Sequence, residues 1–160
     1  MTKKSPLVLV LDNVRSAHNV GAVFRLADAF AVNHIYLCGI TPTPPHRDIR
    51  KTALGAENTI PYTHTATVID ALIQLQKENY LLYCVEQTPQ AQPLQSITQK
   101  DKNKPTALIF GHEVWGVSKE ACQLAPQHLH IPQYGKKKSI NVATCIAIVT
   151  WYWQQKNLNP

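Results

Sequence analysis

A chain of 160 residues, 44% of them apolar, is long enough for one globular domain with a full hydrophobic core. No apolar run is long enough to span a bilayer, and the N-terminal stretch lacks a signal-peptide cleavage site, so we expect a cytoplasmic protein without membrane contact. The formal net charge of +6 favours an anionic partner, and four widely spaced cysteines without a C-x-x-C pair argue against a metal site.

Segments typical of strands and of helices alternate along the chain. Apolar and β-branched runs predict strands at 7–11, 35–38, 59–62, 80–86, 106–110 and 129–131. Helical spacing of apolar residues predicts helices at 21–30, 48–56, 67–78, 118–124 and from 139 onward. The proline-rich segment 41–45 and the long polar segment 87–105 are predicted to be irregular, the second one mobile. This order predicts one α/β domain over residues 1–160, with a mainly parallel sheet, helices on both faces and no domain boundary.

Three polar or glycine-containing segments follow predicted strand ends, at residues 12–21, 111–118 and 132–141. Ligands bind beyond the carboxyl ends of the strands in open parallel sheets, so these segments form one site if they converge. None of them carries the glycine pattern of a dinucleotide site, a complete P-loop or the nucleophile elbow of a hydrolase. These patterns therefore argue against a Rossmann enzyme, a kinase and an esterase-like hydrolase.

Each of the three segments contains a motif of one known family. Residues 19–27 (NVGAVFRLA) and 110–118 (FGHEVWGVS) resemble its first and second motifs. Ile131-Pro132 followed by residues 139–143 (SINVA) resembles its third motif. The family is the SpoU (TrmH-like) branch of the SPOUT RNA methyltransferases, and the resemblance runs from about Leu7 to Trp153 with the motifs in order. Ile140 stands where leucine is commoner, a volume-conserving change.

The resemblance implies a fold and an activity that composition and spacing do not give. It implies a C-terminal trefoil knot, an obligate homodimer and S-adenosylmethionine as the cofactor. The implied reaction is methyl transfer to a ribose 2′-hydroxyl of RNA, with tRNA favoured over rRNA. Cofactor contacts are implied for the following residues: Ile109, Phe110, Gly111, Gly116, Ile131, Pro132, Ser139, Ile140, Asn141 and Ala143.

The resemblance also implies a catalytic set, which comprises Asn19, Arg25, Glu113, Ser139 and Asn141. Arg25 is expected at the target hydroxyl. Because a guanidinium hardly deprotonates in proteins, we expect Arg25 to stabilise the developing oxyanion or grip a phosphate. Asn19 is expected to order its loop, and Glu113 to orient Asn19 or Arg25. Purely structural roles stay open for each: a surface arginine, a loop carboxylate and, for the other three residues, helix caps.

Basic residues cluster at several places in the sequence. Candidates for RNA-phosphate contact are Arg15, Arg25, Arg47, Arg50 and Lys51, with surface solubility as the alternative role. Lys136, Lys137 and Lys138 also favour a polyanion near the third segment. The lysines between residues 100 and 104 are predicted to lie in a solvated loop. His128 and His130 are interpreted as ordinary polar positions rather than metal ligands.

Two functions compete with methyl transfer to RNA. One is a knotted RNA-binding protein or chaperone without turnover, and the other is a methyltransferase acting on protein or on a small molecule. The matched polar residues and the basic clusters favour the RNA methyltransferase. The last predicted helix is apolar on more than one face, which predicts that it packs against a partner subunit. Its apolar residues are Val142, Ile146, Ile148, Val149, Trp151 and Trp153.

Overall fold

A seven-stranded sheet organises the computed structural model, which describes residues 6–155. The strands are β1 (Leu7–Asp12), β2 (His34–Cys38), β3 (Tyr62–Thr65), β4 (Leu81–Val85), β5 (Gln92–Pro93), β6 (Thr106–Gly111) and β7 (Gln127–His130). Their order across the sheet is β3-β2-β1-β6-β4-β7-β5, and each described pairing is parallel. The predicted α/β class with a mainly parallel sheet is confirmed.

Within residues 6–155, six helices connect or flank these strands. They are α1 (Ala17–Ala29), α2 (Arg47–Ala53), α3 (Val68–Lys77), α4 (Gln99–Lys102), α5 (Lys119–Leu124) and α6 (Val142–Gln154). Several of these helices begin at a residue whose side-chain oxygen accepts a hydrogen bond from a backbone N–H of the first turn. The first N–H groups of a helix need such a partner because they have none within the helix. Ser16 caps α1, Ser118 caps α5 and Asn141 caps α6. None of the helices within residues 6–155 is long and apolar enough to cross a bilayer.

The continuous apolar run of β1 is explained by burial on both faces of the sheet. Leu7, Leu9 and Leu11 pack in one cluster with residues of α1, α2 and α6. Val8 and Val10 point to the other face, where α3 and α5 cover the sheet. Alternate residues of a strand point to opposite faces, so a strand between two helix layers needs no polar positions.

Two predicted element boundaries near β3 are wrong. The helix predicted at 48–56 ends at Ala53, because Leu54 (φ 52°) and Gly55 (φ 96°) adopt left-handed conformations. Residues Ala56–Asn58 then form a separate 3₁₀ turn, and Thr59 and Ile60, where the predicted strand 59–62 begins, are still part of the turn that follows it. The observed strand β3 lies at Tyr62–Thr65, at the edge of the sheet. Helix α1 begins at Ala17, earlier than the predicted Gly21.

The segment 87–105, predicted to be irregular, is also structured. It contains β5, a 3₁₀ turn at Leu94–Ser96 and α4. Leu94 is buried in the core beside α6 and β7 residues. Lys102, predicted to be solvated, donates from Nζ to the Tyr152 carbonyl (2.8 Å) and lies 4.0 Å from the centre of the Tyr152 ring. The segment therefore closes one end of the sheet against α6.

Candidate active site

The three segments singled out in the sequence meet at the carboxyl edge of β6 and β7. The second and third segments, together with residues that follow β4, line a cleft of about 320 Å³. The first segment does not line this cleft but is hydrogen-bonded to both of the others. Seven residues predicted to contact the cofactor line it: Phe110, Gly111, Gly116, Ile131, Ser139, Ile140 and Asn141. The convergence follows from topology, because parallel strands all end at one edge of the sheet.

Three of the predicted cofactor contacts are not brought into the cleft lining. Ile109 is fully buried on the face of the sheet covered by α3 and α5, since it alternates with Phe110 along β6. Ala143 is buried in the first turn of α6. Pro132 lies between Ile131 and Gln133, which both line the cleft, without lining it itself.

The carboxylate of Glu113 bridges the second segment to the first. Its Oε2 accepts from the Arg15 backbone N–H (3.0 Å), and its Oε1 accepts from the Ser16 N–H (3.0 Å) and from Asn19 Nδ2 (3.2 Å). Partial burial alone would raise the pKa of Glu113, but these hydrogen bonds to the charged form outweigh it and lower the pKa. Glu113 is therefore an ionised positioning group rather than a proton donor at neutral pH.

Asn141 joins the third segment to the same network. Its Nδ2 donates to Asn19 Oδ1 (3.3 Å), while its Oδ1 accepts from the Thr144 N–H (3.1 Å) and so caps α6. Asn19 thus receives one hydrogen bond from the third segment and donates one to Glu113. Ser139 lies beside this network, exposed and lining the cleft. Asn141 therefore caps α6 and lines the cleft at the same time.

Arg25 does not line the cleft. It lies six residues after Asn19 on α1, which turns it roughly 120° around the helix axis from that residue. Its side chain is exposed and forms no hydrogen bond or ion pair with any described residue from 6 to 155. The exposed Arg25 guanidinium can therefore bind a group of another molecule.

The other predicted RNA contacts lie at the surface near the start of α1. Arg47 Nε and Lys51 Nζ each lie 3.6 Å from Asp48 Oδ1, and the His18 ring lies 3.9 Å from the same oxygen. Desolvation would raise the pKa of Asp48, but these neighbouring cations together lower it. Arg15 and Arg50 are exposed and form no ion pair within the described chain.

Sequence reasoning missed several residues that line the cleft. Glu86 follows β4, and its carboxylate accepts from the Val117 N–H (3.0 Å) and the Gln87 N–H (2.9 Å). A Cβ on Gly116, whose φ is +71°, would collide with this carboxylate, so glycine is required there. The position of Glu86, a carboxylate at the end of the buried strand predicted at 80–86, was the available signal. Trp115, Lys138 and Cys145 also line the cleft, and burial raises the pKa of the Cys145 thiol to about 12.

Two histidines hold loops in place rather than lining a metal site. His112 Nδ1 accepts from the Val114 N–H (2.9 Å) and the Trp115 N–H (3.2 Å), which fixes the turn that carries Glu113. His128 is buried, and its Nε2 lies 2.8 Å from the Cys122 carbonyl oxygen, which makes Nε2 the protonated nitrogen. Within residues 6–155 no group of histidines, cysteines and carboxylates is arranged to hold a metal ion.

The cleft suits a ligand with a flat apolar part and a positive charge. Phe110, Ile131 and Ile140 give it apolar walls, whereas Glu86 and Glu113 place two carboxylates in the lining. Both carboxylates are held by backbone N–H groups, so they are oriented before any ligand arrives. S-adenosylmethionine, with an adenine ring and a sulfonium cation, fits this combination.

The fold and the cleft define an α/β protein that binds a small ligand at the carboxyl edge of a parallel sheet. Comparison with known proteins narrows this class. The model of the SpoU rRNA Methylase family matches residues 6–151, and the chain belongs to that family.

Individual relatives agree with this membership. The chain is 28% identical over 156 residues to the tRNA (guanosine(18)-2′-O)-methyltransferase of Thermus thermophilus, covering 98% of this chain and 78% of that protein. It is 30% identical over 146 residues to the 23S rRNA (guanosine-2′-O-)-methyltransferase of Haemophilus influenzae, covering 91% and 58%. The solved AdoMet-bound rRNA methyltransferase from Sinorhizobium meliloti is 25% identical with a TM-score of 0.85, covering 95% of this chain and 57% of that one.

Proposed function

We propose that this protein transfers a methyl group from S-adenosylmethionine to a ribose 2′-hydroxyl of RNA, with tRNA favoured over rRNA. The observation that carries the proposal is the hydrogen-bonded series Glu113–Asn19–Asn141, which joins the three motif segments beside one cleft. Relatives named as guanosine 2′-O-methyltransferases of tRNA and of 23S rRNA support the reaction class.

S-adenosylmethionine supplies an electrophilic methyl group on its sulfonium. The apolar walls at Ile131 and Ile140 hold the adenine, and the backbone near Gly111 and Gly116 approaches it closely. A Cβ on Gly111 would collide with the backbone of Gly116 and Val117, so Gly111 tolerates no side chain unless this loop moves. Ser139 and Asn141 provide polar contacts at the mouth of the cleft.

Arg25 acts on the RNA rather than on the cofactor. Its guanidinium stays charged, so it stabilises the developing alkoxide or a neighbouring phosphate instead of removing the proton. Because Arg25 lies outside the cleft of its own subunit, we propose that Arg25 lies against the cofactor cleft of a partner subunit. The RNA would then be held by one subunit and methylated with the cofactor bound by the other.

The proposal therefore includes a homodimer. Helix α6 carries two large apolar side chains that are exposed: Ile148 is 39% exposed and Trp151 is 51% exposed. Covering large apolar side chains of this kind is what a subunit interface does. The proposal also includes a trefoil knot formed by the C-terminal segments and a cytoplasmic location, both supported by family membership.

Two measurements test the proposed function. Calorimetry with S-adenosylmethionine should give a saturable single site, alone or with RNA present. Transfer of labelled methyl groups to bulk tRNA, followed by nucleotide-resolution mapping, should place the product on a ribose. RNA binding without any binding of S-adenosylmethionine would instead identify an RNA-binding protein without turnover, and methyl transfer to protein alone would overturn the choice of RNA.

A further inference from the structure

A second cavity lies apart from the cofactor cleft, between α2, the 3₁₀ turn after it and the edge strand β3. Its volume is about 420 Å³, within the roughly 300–1,000 Å³ common for small-ligand sites. Five of its lining residues matter here: Pro44, Arg50, Glu57, Asn58 and Tyr62. The motif residues contribute nothing to it, so it is separate from the site described above.

The polar groups of this cavity keep much of their hydrogen-bonding capacity. Arg47 and Lys51 lie against Asp48, but Arg50 has no ion pair within residues 6–155. Glu57 uses Oε2 to accept from the Gly55 N–H (2.9 Å), whereas its Oε1 bonds to no residue in this described range. In the same range the side-chain amide of Asn58, an exposed residue, also has no hydrogen-bond partner.

Tyr62 gives the cavity an aromatic wall held in a fixed orientation. Its hydroxyl donates to the Pro44 carbonyl (3.2 Å), and its ring meets Phe24 edge-on at 5.7 Å and 90°. The residue is nevertheless 37% exposed. Phe24 precedes Arg25 on α1, so the cavity opens close to the helix that carries the proposed RNA-contacting arginine.

We infer that this cavity binds an unpaired guanine nucleotide of the RNA substrate, an inference that rests on the proposed function. Single-stranded RNA is recognised by stacking of splayed bases on aromatic rings and by hydrogen bonds to their Watson–Crick edges. Tyr62 provides the stacking surface, and Arg50 binds the phosphate. The two oxygens of Glu57 accept from N1–H and N2–H of guanine. Guanine alone among the four bases offers two adjacent donors on that edge.

Three short oligoribonucleotides test the inference: UUGUU, UUUUU and UUIUU, in which inosine lacks the N2 amino group. Fluorescence anisotropy at low salt should show UUGUU binding about tenfold more tightly than UUUUU, with UUIUU between them. Glu57→Gln should remove this order while leaving the affinity for UUUUU unchanged. Glu120→Gln, an exposed carboxylate in the first turn of α5 on the opposite face, is the matched control and should change nothing.

Arg50→Ala provides a second variant, because the Arg50 side chain forms no ion pair or hydrogen bond within residues 6–155. It should weaken all three oligonucleotides equally and reduce the slope of log affinity against log salt by about 1. Free GMP distinguishes an RNA site from a nucleotide site and should bind at least about tenfold more weakly than UUGUU, because it lacks the flanking phosphates.

The outcomes separate the two proposals. A guanine preference that persists in Glu57→Gln, or GMP binding as tight as UUGUU, overturns the inference even if RNA is methylated normally. Loss of the preference in Glu57→Gln, with the fold intact by circular dichroism, supports it. Absence of methyl transfer to any RNA would overturn the proposed function while leaving the guanine site in place.

Discussion

At the scale of single residues, the site contains two kinds of polar group. Glu113, Asn19 and Asn141 are already hydrogen-bonded to one another or to backbone N–H groups, so their geometry is fixed by the fold. Arg25 has no partner within residues 6–155, so its geometry is fixed only when a ligand arrives. The first group positions the loops, and the second is the one expected to contact the reacting RNA.

Replacement of Arg25 tests this division. Arg25→Lys and Arg25→Ala should each lower the rate of methyl transfer by roughly 10²–10³-fold, the effect of losing one electrostatic stabiliser of a transition state. The affinity for S-adenosylmethionine, measured by calorimetry, should stay unchanged because Arg25 is proposed to contact the RNA and not the cofactor. Turnover at the wild-type rate would remove Arg25 from the mechanism.

The lowered pKa of Glu113 makes its contribution to stability depend on pH. The folded state binds a proton on this carboxylate less readily than the unfolded state does, whose pKa is near 4.5. The stabilisation is therefore fully present above about pH 4.5 and is lost as the pH falls through the lowered pKa.

Urea denaturation of the wild type and Glu113→Gln over a pH series measures this dependence. We expect the wild type to be more stable at pH 7 by about 1 kcal/mol or less, since the carboxylate is partly exposed. The gap should close at low pH. A gap of constant size from pH 7 to 3 would contradict the assignment.

At the scale of elements, the contact between α1 and α2 positions both the first motif and the basic surface. Gly21 of α1 faces the Ile49 carbonyl and the Thr52 hydroxyl of α2, and a Cβ there would collide with both. Thr52 Oγ1 also donates to the His18 carbonyl at 2.8 Å, which joins the two helices directly. The close approach depends on glycine.

Gly21→Ala should consequently destabilise the fold, although alanine is the better helix former in isolation. Because a backbone carbonyl cannot rotate away like a side chain, α2 must move, at a cost of about 1–3 kcal/mol in the free energy of unfolding. Gly135→Ala is the control, since a Cβ at Gly135 meets nothing within 4 Å. Equal urea midpoints for the two variants would show that α2 can move away from α1 without a cost in the free energy of unfolding.

Elements were predictable from the sequence where burial imposes a pattern. β1 and β6 were predicted to within one residue, because strands between two helix layers are continuously apolar. β3 was misplaced because it is a short and mostly exposed edge strand whose pattern carries little information. The left-handed Leu54 that separates α2 from the 3₁₀ turn has no local signature, since leucine is uncommon in that conformation.

The candidate site was predictable only in part. Asn19, Glu113 and Asn141 came from motif resemblance, and the structure joins them by hydrogen bonds. Glu86 was missed because it reaches the cleft only when β4 lies between β6 and β7, an order that chain sequence does not give. The cavity beside Tyr62 was missed for a similar reason, since β3 was assigned to the wrong residues.

At the scale of the whole molecule, the proposed dimer can be tested by complementation. Arg25→Ala and Asn141→Ala should each be inactive alone, the second because it loses the α6 cap and the contact to Asn19. A mixed dimer of the two contains one site with both an intact cleft and an intact partner arginine. Coexpressed and purified with two different tags, it should recover up to about half the wild-type rate.

Sedimentation of the wild type is the control for that experiment. A monomer at assay concentrations would contradict the dimer, and an inactive mixed dimer would show that Arg25 works within its own subunit. Trp151→Glu should shift the protein toward monomer, because a charge would be placed on the exposed apolar surface of α6.

The hydrogen bonds that Glu113 and Asn141 accept from backbone N–H groups also have a kinetic consequence. The backbone amides of Arg15, Ser16 and Thr144 are each held by a site side chain instead of a carbonyl of the regular structure. Their hydrogens exchange with deuterated solvent only when the hydrogen bond to that side chain breaks. Amide exchange at these three positions in the protein without cofactor therefore reports how often these hydrogen bonds break. A common opening rate would show that the three segments separate as one cooperative unit.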